Sequence, residues 1–130
     1  MNDYIVNAIT SDGAVRILAA RTTQLCGEAQ RIHQTMPTAT AALGRALTAA
    51  ALMGSMLKSS DDSVTLQFCG GGPIGRVLAV GSGRAEVKGY VGNPLVDLPL
   101  NSAGTLDVGG AVGSDGFLTV MRDLGMKEPY

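Results

Sequence analysis

Tryptophan is absent from these 130 residues, aromatic side chains make up only 4%, and histidine occurs once. A nucleic-acid surface needs stacking aromatics and a basic stripe. Here ten basic residues face eleven acidic ones, for a formal net charge of −1. No run of either sign occurs, so nucleic acid is not an expected partner. The two cysteines, Cys26 and Cys69, form neither a disulfide framework nor a metal-ligand spacing. Each reads first as a small buried hydrophobe. The opening MNDYIVNAIT places Asp3 where an export signal would carry lysine, and Asn7 interrupts its short apolar run. The expected location is therefore the cytoplasm, where reduced thiols are the rule. His33 stands without a nucleophile or acid at a catalytic spacing, and no G-x-S-x-G occurs. No catalytic residue and no metal ligand is assigned, and the chain is not expected to be an enzyme.

What the chain does have is small residues in a long apolar stretch. Thr35 to Lys58 begins with helix-start grammar: Thr35 or Thr38 as cap, and Pro37 where a missing N–H costs nothing. From Ala39 to Leu57 the only charge is Arg45. A helix apolar around most of its circumference is buried on several sides. Its alanine, glycine and threonine content, with Arg45 inside and no aromatic belt, argues against a membrane span. Gly44 and Gly54 each cost about 1 kcal/mol of helix propensity, which close approach of other backbone, a sheet above all, would offset.

Around this helix the chain reads as short elements separated by turns. Tyr4–Thr10 and Ala14–Ala20 form a hairpin about Ser11-Asp12-Gly13. A first helix starts at Thr22-Thr23 and carries an apolar stripe of Leu25, Ala29, Ile32 and Met36. After Ser59-Ser60-Asp61-Asp62 the period becomes twofold: Val64, Leu66 and Phe68 alternate with Thr65, Gln67 and Cys69. Ile74–Val80 and Arg84–Val91 continue an antiparallel meander. Asn93-Pro94 and Pro99 impose an extended, irregular segment. Leu106–Val112 reads equally as a strand or as a short helix capped by Asp107, and Phe117–Arg122 is a last strand. The expected fold is α+β: a largely antiparallel sheet of hairpins and a meander packed on two helices, in one domain, 1–130.

Two local features invite chemistry. Gly70-Gly71-Gly72-Pro73 exposes backbone N–H groups that can cradle an anion, so an anion- or small-molecule-binding domain using the Gly70–Gly75 turn is the alternative function. No GK[ST] follows, and the segment leads into a strand, so a sheet turn is the simpler reading. Asp97 is read as a structural anchor that accepts bonds from N–H groups left unpaired by the irregular segment. Asp61-Asp62 reads as a solvated turn, because hard cations need several oxygens from spaced positions.

PTATAALGRALTAAALMGSMLK, GGGPIGRVLAV, GYVGNPLVDLPLN and the terminal DLGMKEPY, in this order, resemble the heat shock protein 33 family of redox-regulated holdase chaperones, from about Tyr4 to Tyr130. The resemblance implies an ATP-independent, cytosolic domain that holds unfolding client proteins on apolar surface and dimerises on activation. It also implies a carboxy-terminal zinc module with C-x-C and C-x-x-C thiolates as the redox switch. Neither cysteine pair is present here, so no zinc role passes to Cys26 or Cys69, no cofactor is expected in residues 1–130, and the chain reads as an amino-terminal, incomplete core. Leu43, Leu47, Met53, Met56 and Leu57 are the candidate client-binding or dimer surface, since methionine suits promiscuous contacts. Burial in the core is the competing reading for each.

Overall fold

A computed structural model describes residues 2–130. The first two apolar runs pair as an antiparallel hairpin, β1 (Tyr4–Ile9) and β2 (Arg16–Arg21), in register from Tyr4↔Arg21 to Ile9↔Arg16. Gly13 at φ +74° supplies the left-handed turn residue, and Thr10 N–H donates to Val15 O. Bonds from Thr10 Oγ1 and the Ala14 N–H hold the Asp12 carboxyl below its ordinary range.

Helix α1 (Thr23–His33) has Thr22 at its N-cap position, yet Thr22 makes no side-chain cap bond. Its hydroxyl instead meets Thr48 Oγ1 at 2.8 Å. Asp3 takes over the capping, its two carboxylate oxygens accepting from the N–H groups of Gln24 (3.1 Å) and Leu25 (2.7 Å). A carboxylate there also suits the positive end of the helix dipole.

Helix α2 (Pro37–Ser55) is the long apolar element, with Pro37 in its first turn. The expected caps are corrected: the N-cap is Met36, without a side-chain bond. Thr35 is buried and shares its hydroxyl with Thr40 (2.6 Å), while Thr38 lies inside the first turn. One side of α2 meets a four-stranded antiparallel sheet of β3 (Ser63–Cys69), β4 (Arg76–Ser82), β5 (Val87–Val91) and β6 (Phe117–Asp123), ordered β5-β4-β3-β6. Between β5 and β6 lies the short helix α3 (Val108–Val112), so the ambiguous segment is helical, and Asp107 caps it through the Gly110 N–H. The third meander strand is shorter than expected. Arg84 and Glu86 fall in the β4–β5 turn, where the Arg84 guanidinium reaches Asp61 (2.9 Å) and Ser60 O.

The core is the α2–sheet contact. Ala39, Ala42, Leu43, Ala46, Leu47 and Ala50 pack with Val64, Leu66, Val77, Ala79 and Val91. The small residues set its spacing. A Cβ on Gly54 would come within 2.7 Å of Ser82 O, and one on Gly81 would collide with the Ala50 carbonyl. Gly54 therefore faces the sheet as expected, whereas Gly44 faces α1, with Cys26 Sγ 2.8 Å from where its Cβ would be. Gly81→Ala is expected to lower stability by about 1–3 kcal/mol through overpacking, and Leu47→Ala by about 2–5 kcal/mol through a cavity. Denaturant unfolding of both variants, with Gly109→Ala (open space around its Cβ) as control, checks this ordering.

Candidate functional site

Among the described residues, no group of three or more His, Cys, Asp or Glu is placed to hold a metal ion. Cys26 lies between α1 and α2, and Cys69 lies at the end of β3; both are free thiols. His33 is half-buried at the end of α1. The Arg76 guanidinium is held above its ordinary range by the Tyr90 hydroxyl and then by the Cys69 thiol. Arg76 pairs with Cys69 across the strands, so this polar spot belongs to the sheet's outer face.

Three N–H groups of the Gly70–Gly75 turn are engaged within the chain. The Gly72 N–H donates to Val112 O (3.0 Å), Ile74 N–H to Ala111 O (3.1 Å) and Gly75 N–H to Gly72 O (3.1 Å), while Gly70 O accepts from Asp115 N–H (3.0 Å). The first two of these donors satisfy carbonyls at the end of α3 and the third closes the turn on itself, so they are not available to a phosphate. Gly71 sits at φ +77°, which explains the glycine there without a ligand. Pro73 is exposed.

The irregular segment after β5 fastens the start of α2. Asn93 N–H donates to Ile74 O (2.9 Å), and Asn93 Oδ1 accepts from Leu95 N–H (3.1 Å). Pro94 O accepts from Met36 N–H (2.9 Å). Asp97 Oδ1 accepts from Thr38 Oγ1 (3.1 Å) and Thr38 N–H (3.4 Å), and Thr38 Oγ1 accepts in turn from Leu98 N–H (3.1 Å). Pro94 and Asp97 thus bind the start of α2, distant in sequence, while Asn93 ties the segment to Ile74 ahead of β4.

The five candidate apolar residues separate. Leu43 and Leu47 are 1% and 2% exposed, so they are core and not a docking surface. They point into the sheet because α2 turns its leucine side to β4 and β5. Met53 and Leu57 are half-buried against the same core, and only Met56, at 46%, lies open.

The open apolar surface lies mainly on strands, outside the expected helix face. On β6, Phe117 is 82% exposed, Leu118 56%, Val120 42% and Met121 43%. Leu118 and Val120 pair with Phe68 and Leu66, on the α2 side of the sheet; Phe117 and Met121 pair with Cys69 and Thr65, on the other side. Neither side of β6 is covered, because α2 lies over β3, β4 and β5. Tyr4, Val6 and Ile17 form a second open patch on one face of the hairpin. The sequence signal for β6 was present in FLTVM, which lacks the apolar–polar alternation of a half-covered strand.

A model of the Hsp33 protein family matches residues 3–130. A 33 kDa chaperonin from Clostridium tetani is 52% identical over all of this chain and 44% of its own length. One from Geobacillus is 56% identical over 98% of this chain and 43% of its own length. The crystal structure of the 33 kDa chaperonin of Thermotoga maritima superposes with a TM-score of 0.91 at 43% identity, over 97% of this chain and 43% of that one. The chain thus spans less than half the length of these relatives.

Thr38 is the buried hinge of the anchor just described. Thr38→Val keeps its shape and removes both side-chain bonds, leaving the Leu98 N–H without its acceptor. The expected cost is about 1–3 kcal/mol, read as a lower thermal midpoint. Asp97→Asn, which keeps an oxygen for Thr38, is expected to lose less.

Proposed function

The chain belongs to the Hsp33 family, and from that premise we propose that it is a non-enzymatic, cytoplasmic client-binding domain of an ATP-independent holdase chaperone. The observation that carries this reading is the uncovered apolar surface of β6 and the hairpin on an otherwise packed body. Exposed apolar patches rimmed by polar residues mark interaction sites. Unfolding proteins offer apolar segments of no fixed sequence. A surface of Phe, Leu, Val, Met and Tyr without a matching charge pattern suits such partners. The redox control proposed for the longer family members is assigned to zinc-bound thiolates, and residues 1–130 contain only Cys26 and Cys69 on separate elements. Self-association in a dimer is part of the same proposal, through the same open apolar area.

The anion-binding alternative is less favoured, since the N–H groups of Gly72, Ile74 and Gly75 already have partners within the chain. Light scattering from a heat-unfolding client tests the holdase reading: added in excess, the chain is expected to suppress aggregation without nucleotide. The suppression is expected to be the same before and after peroxide. Clients that scatter fully in its presence would overturn the reading, and a stability gain with phosphate or nucleotides would restore the alternative.

A further inference from the structure

Strand β5 is an edge strand, on the opposite side of the sheet from β6. Ser82 N–H donates to Glu86 O (2.9 Å) and Gly92 N–H to Arg76 O (2.8 Å), which fixes the alternation along it. In an antiparallel pair both groups of one residue point the same way, and the direction reverses at the next residue. Glu86, Lys88, Tyr90 and Gly92 therefore face β4, while Val87 and Gly89 turn their N–H and C=O to the outer edge. No backbone bond from another described residue reaches either of them. In place of a neighbouring strand, this edge has a trough. One cavity of about 360 Å³ lies between it and α1, lined by Leu25, Ala29, Leu47 and Gly89. A second, of about 350 Å³, continues past Ala51 and Ala85 to Tyr4 of the hairpin. Leu25 and Val87 line both, so the two follow one line along the strand. Every residue that lines them falls between Asp3 and Gly89.

We propose that this trough is a peptide site: an extended segment of an unfolded client enters between α1 and β5 and adds to the β5 edge as a strand, apolar side chains inward and an acidic one beside Lys88. The proposal rests on the chaperone reading above and names a seat for its client. Three observations choose the occupant. Val87 and Gly89 each offer a donor and an acceptor, and an extended main chain answers both in alternation, whereas a phosphate or carboxylate answers donors alone. The inner wall of Leu25, Ala29 and Leu47 belongs to or packs against the core, and it takes every second side chain of such a strand. Gly89 sends no side chain into that space; a Cβ there would lie 3.1 Å from Leu47 Cδ2. Lys88, next to Gly89 in the strand, points to the sheet's other face, is exposed, and forms no ion pair among the described residues. An acidic residue on the outer side of the added strand gains from it. Glu86, the next residue on that side, repels a second one.

The probe is a labelled peptide of about seven alternating threonines and valines with one threonine replaced by glutamate. Its controls carry lysine in place of the glutamate, or N-methyl groups at alternate residues in each of the two phases. The 130-residue chain is expected to bind the glutamate peptide at least about three-fold more tightly than the lysine peptide, and Lys88→Glu to invert that order. At least one N-methylated form should bind about ten-fold more weakly than the parent. Amide exchange at Val87 and Gly89 should slow by about ten-fold or more when the glutamate peptide is added. Equal binding of all N-methylated and parent forms, an order that Lys88→Glu leaves unchanged, or unchanged exchange at Val87 and Gly89 overturns the proposal; if clients are still kept from scattering, the chaperone reading stands without it. Peptide binding as expected, with clients that scatter fully, sinks the chaperone reading and with it the client as occupant. Protection of the two amides that rises with protein concentration alone, with a doubled mass, assigns the trough to a second copy and also overturns the proposal. Protection already complete in the free monomer shows the edge closed within the chain, with the same consequence.

Discussion

The rest of the structure depends on how closely the backbone of α2 approaches the backbone of β4. The distance is set by residues with little or no side chain: Ala50 against Gly81, and Gly54 against Ser82. Alanine and glycine bury little apolar area each, so an interface built from them gains mainly from close packing along its length. Leu43 and Leu47 then fill what the small residues leave, Leu47 reaching to Gly89 on β5. Larger residues at the close points would lift the helix, and the leucines would lose their contacts together.

A helix held by so close a fit must also be fixed along its axis, and this is what the segment after β5 does. Ile74 O takes the Asn93 N–H, Pro94 O takes the Met36 N–H, and Asp97 accepts from the Thr38 hydroxyl above the first turn of α2. The unsatisfied N–H groups that every helix start carries meet a segment that has unsatisfied acceptors of its own because two prolines keep it out of regular structure. Each irregularity answers the other. The same economy governs the glycine turn: the N–H groups of Gly72 and Ile74 and the Val112 and Ala111 carbonyls of α3 are the two halves of one set of bonds.

Much of this was legible in the residues, and the reason differs by element. The twofold alternation of β3 and the sparse charge of α2 are patterns of burial, and burial follows from the fold's layers, so α+β, the meander and the central helix could be read directly. Caps could not. Thr22, Thr35 and Thr38 all have the right chemistry, but their hydroxyls are claimed by Thr48, Thr40 and Asp97, partners that only the tertiary structure brings near. Asp3 caps α1 through Gln24 and Leu25, 21 and 22 positions away in the chain, where no local rule points. The exposure of the candidate helix residues was hidden for a related reason: methionines and leucines on a helix look equally available until the direction of the sheet decides between Leu47 and Met56. Membership of the Hsp33 family was legible from the quoted segments, because sequence motifs survive where single side-chain contacts do not announce themselves.

The layer arrangement explains why apolar surface is left open at all. One helix can cover about as much sheet as its own width and length allow, since packed helix axes lie roughly 10 Å from what they cover and neighbouring strands about 4.8 Å apart. Helix α2 lies over β3, β4 and β5, and the fourth strand, β6, falls beyond its flank. A sequence adapted to that position in a closed fold would alternate polar residues on the uncovered side. β6 instead keeps Phe117, Leu118, Val120 and Met121 on both faces. A strand apolar on both faces is the pattern of one with material on both sides. Its composition is therefore fitted to being covered, while its place in these residues leaves it open.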